Sequence, residues 1–216
     1  DFNDTSKEAD FSQRVREFLD QNAEKRVNSK QAEVSSAGAP ETVQGGAEAA
    51  KIALNNAKEW QRKKAEAGFA AILWPKEFGG YGGTPIEQVI YQQEEHNYFV
   101  HSGYFEIGIG MLGPTMMVWG KDEDKKRYLP KMITGEEIWC QLFSEPSAGS
   151  DLAGIRMKAE KDGDEWVLNG QKVWTSGAHF ADYGMVVARS DPSALKHKGL
   201  TYFFLDMKTP GVEAKP

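Results

Sequence analysis

The sequence QLFSEPSAGSD at residues 141–151, together with LNGQKVWTSG at residues 168–177, decides how we interpret this chain. Each segment begins in an apolar run typical of a strand and ends in small or hydroxyl-bearing residues. Such an ending leaves backbone amides and hydroxyls uncovered, and successive amides in a tight turn can bind an anion. The two segments therefore predict a pair of loops suited to a flat, phosphate-bearing cofactor.

Both segments also have a simpler interpretation. Composition alone favours an ordinary turn rich in proline and glycine at residues 144–151, and a core position for Trp174. The phosphate-binding patterns GxxxxGK[ST] and GxGxxG are absent. An aromatic ring followed by the hydroxyls of Thr175 and Ser176 nevertheless suits stacking on a flat ring and hydrogen bonding to its edge.

Short apolar runs typical of strands surround these segments. There are five such runs, separated by turn-forming sequences such as DGD and NG. The runs lie at residues 138–143, 155–160, 165–168, 183–188 and 200–205. The turn at residues 161–165 predicts a hairpin with Trp166 on its return strand. Short strands at this spacing predict an antiparallel sandwich or barrel.

The first half of the chain has helical periodicity instead. One face of the first helix collects four apolar residues, Phe11, Val15, Phe18 and Leu19. We expect this helix to end near Arg26. A second helix is expected at residues 47–67, with Gly68 placed to end it.

The clearest local signal in this half is TPIE at residues 84–87. Thr84 can be the N-cap of a helix, with Pro85 in its first turn and Glu87 closing a capping box. We expect that helix to run to Phe99 and to bury Ile86, Val89 and Ile90. Residues 105–119 are apolar nearly all round, which predicts a central buried helix. Residues 122–133 predict a charged surface helix that ends at Gly135.

These patterns predict an α+β fold, an N-terminal helical bundle followed by a small antiparallel β-barrel or sandwich. We assign residues 1–137 to the helical domain and residues 138–216 to the β domain, which we expect to be incomplete. Residues 28–46 are rich in Ser, Ala, Gly and Gln and offer little to bury, so they predict a mobile loop.

Composition excludes several classes of protein. A net charge of -6 argues against a nucleic-acid partner. The single cysteine, Cys140, excludes an intrachain disulfide and fits a reducing compartment. No apolar run approaches the roughly 18 residues needed to span a membrane. The four histidines are scattered, and neither the HExxH nor the GxSxG pattern occurs, so we assign no metal ligand and no nucleophile.

Taken together, the segments resemble the acyl-CoA dehydrogenase family. FSEPSAGSD at residues 143–151 is similar to the family's first signature, usually Thr or Ser followed by EPGAGSD. NGQKVWTSG at residues 169–177 is similar to its second block, and WPKEFGGYGG at residues 74–83 also fits. Two positions depart from the pattern: Ser147 replaces a glycine, and Ser176 stands where threonine is commoner.

The resemblance implies a binding site for FAD. Gln141, Phe143 and Ser144 would line the flavin ring, and Gly149 and Ser150 would approach the pyrophosphate. Ser150 would also meet the thioester of an acyl-CoA substrate. The implied cofactor-binding set is Gln141, Phe143, Ser144, Gly149, Ser150, Trp174, Thr175 and Ser176, with Trp174 packing on the flavin and Ser176 bonding its reactive nitrogen.

The resemblance also implies an activity, the α,β-dehydrogenation of an acyl-CoA with electrons passed to an electron-transferring flavoprotein. Family members add a C-terminal four-helix bundle that carries the catalytic glutamate, so no residue here is assigned as catalytic and the fragment alone is expected to be inactive. A dimer or tetramer is expected, in a bacterial cytoplasm or a mitochondrial matrix. Three alternatives stay open: an acyl-CoA oxidase, a non-catalytic flavin- or acyl-binding subunit, and a structural module with a decayed site.

Overall fold

A computed structural model gives the structure of the chain and describes residues 5–26 and 46–215. The predicted mobile loop at residues 28–46 lies outside the described residues except for its last position. The chain divides into two compact units between Glu137 and Ile138. Each unit is described by itself.

The described residues of the helical unit form five α-helices: α1 (Ser6–Asn22), α2 (Gly46–Glu66), α3 (Pro85–Glu95), α4 (Gly113–Trp119) and α5 (Asp122–Thr134). Both α1 and α3 begin at a capping box, in which Thr5 or Thr84 accepts a hydrogen bond from the amide of a glutamate three residues on. The prediction for Thr84 is therefore confirmed, and the box at Thr5 was not predicted.

Two of the predicted helix ends are wrong. The first helix ends at Asn22 rather than near Arg26, and the third ends at Glu95 rather than Phe99. The residues beyond these ends form the short strands β1 (Glu24–Lys25) and β2 (Tyr98–Phe99), which pair antiparallel. Pairing between distant segments satisfies the backbone groups that helix continuation would otherwise have satisfied.

The core of the helical unit is aromatic. It collects the buried side chains of Phe11, Val15, Leu19, Trp60, Phe69, Ile72, Ile90, Tyr91 and Tyr98. The ring of Phe69 lies 5.9 Å from that of Phe11 and 5.4 Å from that of Tyr91, measured between ring centroids. Packing of α1 against α3 through these rings confirms the predicted inward face of α1.

The predicted inward face of α3 is wrong in part. Ile90 is buried as expected, but Ile86 is 52% exposed and Val89 is 46% exposed. The buried face instead carries Glu87, Ile90 and Tyr91. The Glu87 side chain is buried because it accepts the amide hydrogen of Thr84 at 2.7 Å in the capping box.

Residues 106–119 form one continuous helical run, as predicted, but the run is only partly buried. A π-helical turn at Gly108–Leu112 precedes α4. The wider turn shifts the helical register, so Leu112 and Met116 are buried whereas Val118 and Trp119 are exposed. Apolar content alone could not have predicted this shift.

The second unit is built on one five-stranded sheet: β3 (Trp139–Leu142), β4 (Lys158–Asp162), β5 (Glu165–Asn169), β6 (Tyr183–Arg189) and β7 (Leu200–Asp206). The hairpin of β4 and β5 is confirmed. The β6 strand is central, with β7 antiparallel on one side and β3 parallel on the other, while β4 meets the end of β6 at Arg189.

The predicted α+β class is confirmed, but the sheet is mixed and open rather than an antiparallel barrel. Trp139 pairs with Tyr183 and Leu142 with Val186 in parallel register. Parallel neighbours require a crossover connection, and here the crossover contains both quoted segments. Among the described residues we find no helix with the length and hydropathy that crossing a membrane requires.

Candidate functional site

The two quoted segments meet where β3 ends. The backbone amide of Val173 donates to the carbonyl of Ser144 at 2.9 Å. One residue earlier, the Lys172 ammonium donates to the carbonyl of Phe143 at 3.0 Å and to a carboxylate oxygen of Glu145 at 2.8 Å. We call this meeting point, residues 143–145 with 172–173, the joint.

The ion pair in the joint is buried, since only 6% of the Lys172 side chain and 5% of the Glu145 side chain are exposed. Burial alone would raise the pKa of Glu145, but hydrogen bonds from Lys172 and from the amides of Arg156 and Met157 outweigh it and lower that pKa. Burial lowers the pKa of Lys172, and Glu145 opposes the change. Several bonds to the carboxylate therefore keep Glu145 ionised.

The loop after the joint has a fixed base and an exposed tip. Glu145 and Ala148 exchange two backbone hydrogen bonds of 2.8 and 3.0 Å. Ala148 is buried against Ile155 and Val187. Beyond Ala148, residues 149–151 are exposed.

Gly149 lies at the exposed tip, and its own surroundings do not require a glycine. A Cβ atom added there meets nothing within 4 Å, and the backbone lacks a positive φ. Gly170 is different, because an added Cβ would lie 2.7 Å from the Met157 side chain. The open space beside Gly149 leaves its backbone accessible to a ligand.

Trp174 is the most unusual residue of the site. Its side chain is 91% exposed, which is contrary to a core position. Its φ of 57° lies in the left-handed region, which costs a residue with a side chain about 1–2 kcal/mol. Conformations of this kind persist where the surroundings enforce them, and they cluster at binding sites.

Four hydroxyl groups of the two quoted segments are unused within the described part of the chain. Ser144 and Thr175 are half-buried, and Ser150 and Ser176 are exposed. None of these four hydroxyls has a hydrogen-bond partner among residues 5–26 and 46–215. Buried polar groups normally find partners, so half-buried hydroxyls without one suit an external ligand.

The other two predicted residues lie in or just after β3. Gln141 is half-buried and pairs with Met185 across the sheet. Phe143 packs edge-on against Tyr202, with ring centroids 5.7 Å apart. The structure therefore brings Phe143 and Ser144 to the joint directly, while Gln141 lies further back on the strand.

Three charged residues of the site were not predicted from the sequence. Glu145 and Lys172 form the joint, and Arg189 donates to the carbonyls of Ala153 and Ile155 at 2.7 and 3.2 Å. The sequence did contain a signal that singles out Glu145 and Lys172, because each is the lone charged side chain inside a stretch of small, polar and apolar residues. Their mutual contact spans 27 residues and depends on the crossover.

Comparison with known proteins gives the family. A family model described as the acyl-CoA dehydrogenase N-terminal domain matches residues 5–136, and one described as the middle domain matches residues 140–216. The chain belongs to the acyl-CoA dehydrogenase family. Members of this family are FAD-dependent oxidoreductases.

Individual proteins similar to this chain have names from the same family. It is 45% identical over 167 residues to acyl-CoA dehydrogenase FadE34 of Mycobacterium tuberculosis, covering 77% of this chain and 23% of that protein. Two solved structures, each 28% identical, are the Tcur3481-Tcur3483 steroid ACAD (TM-score 0.75) and the ChsE4-ChsE5 complex from Mycobacterium tuberculosis (TM-score 0.73). The match covers 98% of this chain and 50% of the first structure, and 96% and 48% for the second. The chain thus spans half or less of these relatives.

The residues of the site fit the cofactor of the family. An exposed indole, four hydroxyls without partners and the open backbone at Gly149 are the groups that a flat ring and a pyrophosphate require. In contrast, the described residues contain no group of three or more His, Cys, Asp or Glu side chains able to bind a metal ion.

Proposed function

We propose that this chain is the FAD- and acyl-CoA-binding portion of an acyl-CoA dehydrogenase that catalyses α,β-dehydrogenation of an acyl-CoA thioester. The observation that carries the proposal is Trp174, an exposed indole in left-handed backbone beside hydroxyls without partners. Exposure alone does not distinguish Trp174, but left-handed backbone at a bulky residue persists where the surroundings enforce it and clusters at ligand sites, and a flat ligand would use an indole held in this way.

Each residue has a role in this proposal. Phe143 and Ser144 contact the flavin ring from the end of β3, with Gln141 behind them. Trp174 packs on the ring, and the hydroxyls of Thr175 and Ser176 bond its edge. The open backbone at Gly149 and the hydroxyl of Ser150 approach the pyrophosphate, and Ser150 also meets the thioester. When bound, FAD supplies the hydride acceptor. We assign no catalytic base to this chain.

The proposal includes partners. Acyl-CoA is the substrate, an electron-transferring flavoprotein accepts the electrons, and the whole protein is a dimer or tetramer. The compartment that we propose is a bacterial cytoplasm or, in a eukaryote, the mitochondrial matrix; the match to a mycobacterial relative supports a bacterial source, and the single cysteine fits a reducing compartment.

A second candidate is a subunit of a two-component enzyme. Both structures cited above carry two protein names, and one is described as a complex. In this candidate the chain binds flavin or acyl-CoA, and a different chain completes the active site.

Anaerobic titration of the purified full-length protein with acyl-CoA tests the first candidate. We expect flavin absorbance in the preparation and bleaching of it by substrate, while residues 1–216 alone show no turnover with FAD and acyl-CoA. A colourless protein that binds no added FAD contradicts the proposal. Bleaching only after a second protein is added favours the two-component candidate, and oxygen consumption during turnover identifies an oxidase.

The Trp174→Ala variant addresses the site itself. We expect weaker FAD binding in this variant and unchanged binding in Trp119→Ala, which removes an indole that is 84% exposed in the helical unit. Equal FAD affinity in the two variants contradicts the role proposed for Trp174.

A further inference from the structure

The joint contains a charged pair for which the proposed function has no chemical use. Lys172 and Glu145 lie in the two segments that carry the cofactor-facing residues, yet their own side chains are almost fully buried. Burying two charges is unfavourable unless every hydrogen-bonding position is matched. The pair therefore needs a reason for its place between the segments.

Lys172 is fully used within the chain. Its ammonium donates to the carbonyls of Phe143 and Val187, at 3.0 and 2.7 Å, and to Glu145 at 2.8 Å. An ammonium has three donors, and three acceptors surround this one. Lys172 has no donor left for a phosphate group, so it is not a cofactor ligand.

Glu145 is equally committed. One carboxylate oxygen accepts from Lys172 and from the amide of Met157 at 2.9 Å, and the other accepts from the amide of Arg156 at 2.7 Å. The pair thereby ties together the end of β3, the segment at residues 172–173, the start of β4 and the centre of β6.

Both members of the pair lie within two residues of a predicted flavin contact. Glu145 follows Ser144, and Lys172 lies two residues before Trp174. Between them, the amide of Val173 donates to the carbonyl of Ser144 at 2.9 Å. Left-handed backbone at Trp174 is unfavourable by itself and persists only where neighbouring structure enforces it. The bonds of Lys172 and Val173 hold the chain in place on the N-terminal side of Trp174.

We infer that Lys172 and Glu145 are positioning residues, which set the placement of the Trp174 indole relative to Ser144 and so determine FAD affinity without touching the cofactor. This inference rests on the proposed function. It assigns a role to two residues that lie within the resembling motifs but to which the resemblance gave no role.

The test compares three variants of the full-length protein after removal of FAD. Lys172→Met removes the charge and leaves Glu145 buried without its partner. The double variant Glu145→Gln with Lys172→Met leaves no buried charge, so it regains much of the lost stability. In both variants the carbonyls of Phe143 and Val187 lose the ammonium. Lys158→Met is the control, because Lys158 is an exposed lysine of the same unit without an ion pair among the described residues.

We expect the dissociation constant for FAD to rise about 10- to 100-fold in both joint variants, by analogy with the loss of metal affinity when a residue that orients a metal ligand is removed. The visible circular dichroism of residual bound flavin should change in both. The double variant recovers thermal stability but not FAD affinity. Lys158→Met changes neither. If Lys172→Met does not fold, the double variant alone decides the question.

Three results overturn the inference, and they do so in two different ways. If FAD affinity follows apoprotein stability, so that the double variant recovers both, the pair has only a structural role. The same conclusion follows if both joint variants bind FAD like the unmodified protein while Trp174→Ala does not. If the unmodified protein binds no FAD, the proposed function itself fails, and the inference fails with it.

Discussion

Two tryptophans, Trp74 in the helical unit and Trp174 in the sheet unit, lie in opposite environments. Trp74 is 3% exposed, and its indole N–H donates to the carbonyl of Ile109 at 2.8 Å. A Cβ atom added to Gly113 would overlap its ring, and one added to Gly80 would overlap its backbone. Trp174 is 91% exposed and has left-handed backbone.

The difference shows how the two loops are held in place. The loop at residues 74–83 is held by packing around Trp74 and by backbone bonds such as Gly82 to Trp74 at 2.9 Å. The loop at residues 171–177 lacks a buried anchor of its own at Trp174 and is held from the joint. The first loop serves stability, and in our proposal the second presents a ring to a ligand.

Trp74→Ala should show the largest effect. Removing a buried tryptophan costs about 3–5 kcal/mol of unfolding free energy, and here the carbonyl of Ile109 also loses its donor. Urea denaturation followed by helical circular dichroism measures the loss, with Trp119→Ala as the exposed control, expected within about 0.5 kcal/mol. A stable Trp74→Ala protein would show that packing is not what holds this loop.

Acid should weaken the joint. The pKa of Glu145 is lowered from its ordinary value of 4.5. A carboxylate with a lowered folded-state pKa contributes stability above pH 4.5, and that stability is lost as pH falls through the lowered value. Glu145→Gln should therefore be less stable than the unmodified chain by about 1.5–3 kcal/mol near pH 7, the range for hydrogen bonds to charged groups. The difference should shrink on acidification.

The measurement is urea denaturation of both proteins between pH 3 and 7. A difference that stays constant across this range means that Glu145 does not titrate in the folded protein as the structure implies. Glu145→Asp is the informative control, because it keeps the charge but shortens the reach to the amides of Arg156 and Met157.

The helical unit was readable from the sequence because its signals are local. The capping box at Thr84, the left-handed Gly135 after α5 and the inward stripe of α1 each depend on neighbouring residues. The exposed Ile86 and the π-turn before α4 were not readable, since each depends on a choice between packing arrangements. The parallel pairing of β3 with β6 depends on a crossover of about forty residues, which no turn motif specifies.

The candidate site was predictable only through its motifs. Ser144, Ser150 and Ser176 were found because the family resemblance covers them, and their roles stay predictions. Glu145 and Lys172 lie in the same motifs, but a sequence does not tell a buried charged side chain from a solvated one. Their contact became visible only with the fold, and so did the left-handed backbone of Trp174.

Trp174→Gly should separate stability from binding. Glycine relieves the left-handed backbone, a gain of about 1–2 kcal/mol, and loses about 0.5–1 kcal/mol through the flexibility of the unfolded chain. The apoprotein should therefore unfold at no lower urea concentration. FAD binding should weaken by about 1–3 kcal/mol, the range for stacking of a flat base on an aromatic ring. A destabilised apoprotein with normal FAD affinity would assign Trp174 to the core after all.

The smallest effects come from removing one hydroxyl beside each loop: that of Thr84, directly after residues 74–83, and that of Ser144, whose carbonyl is bonded to Val173. The Thr84 hydroxyl accepts from the amide of Glu87 at 3.2 Å, so Thr84→Ala should cost about 1 kcal/mol of unfolding free energy and leave FAD affinity unchanged. The Ser144 hydroxyl has no partner among the described residues, so Ser144→Ala should change stability by less than about 0.5 kcal/mol.

Ser144→Ala should instead weaken FAD binding by about 0.5–1.5 kcal/mol, the net contribution of one hydrogen bond. Ser147→Ala, exposed in the same loop, provides the matched control. Calorimetric FAD titration and urea denaturation of all three variants measure both quantities. The contrast between the loops requires Thr84→Ala to lower only stability and Ser144→Ala to lower only FAD affinity. A hydroxyl bonded within the chain stabilises the fold, whereas a hydroxyl without a partner in the chain can stabilise only a complex. If Ser144→Ala lowers stability and leaves FAD affinity intact, the two loops do not differ in the way that the two tryptophans indicate.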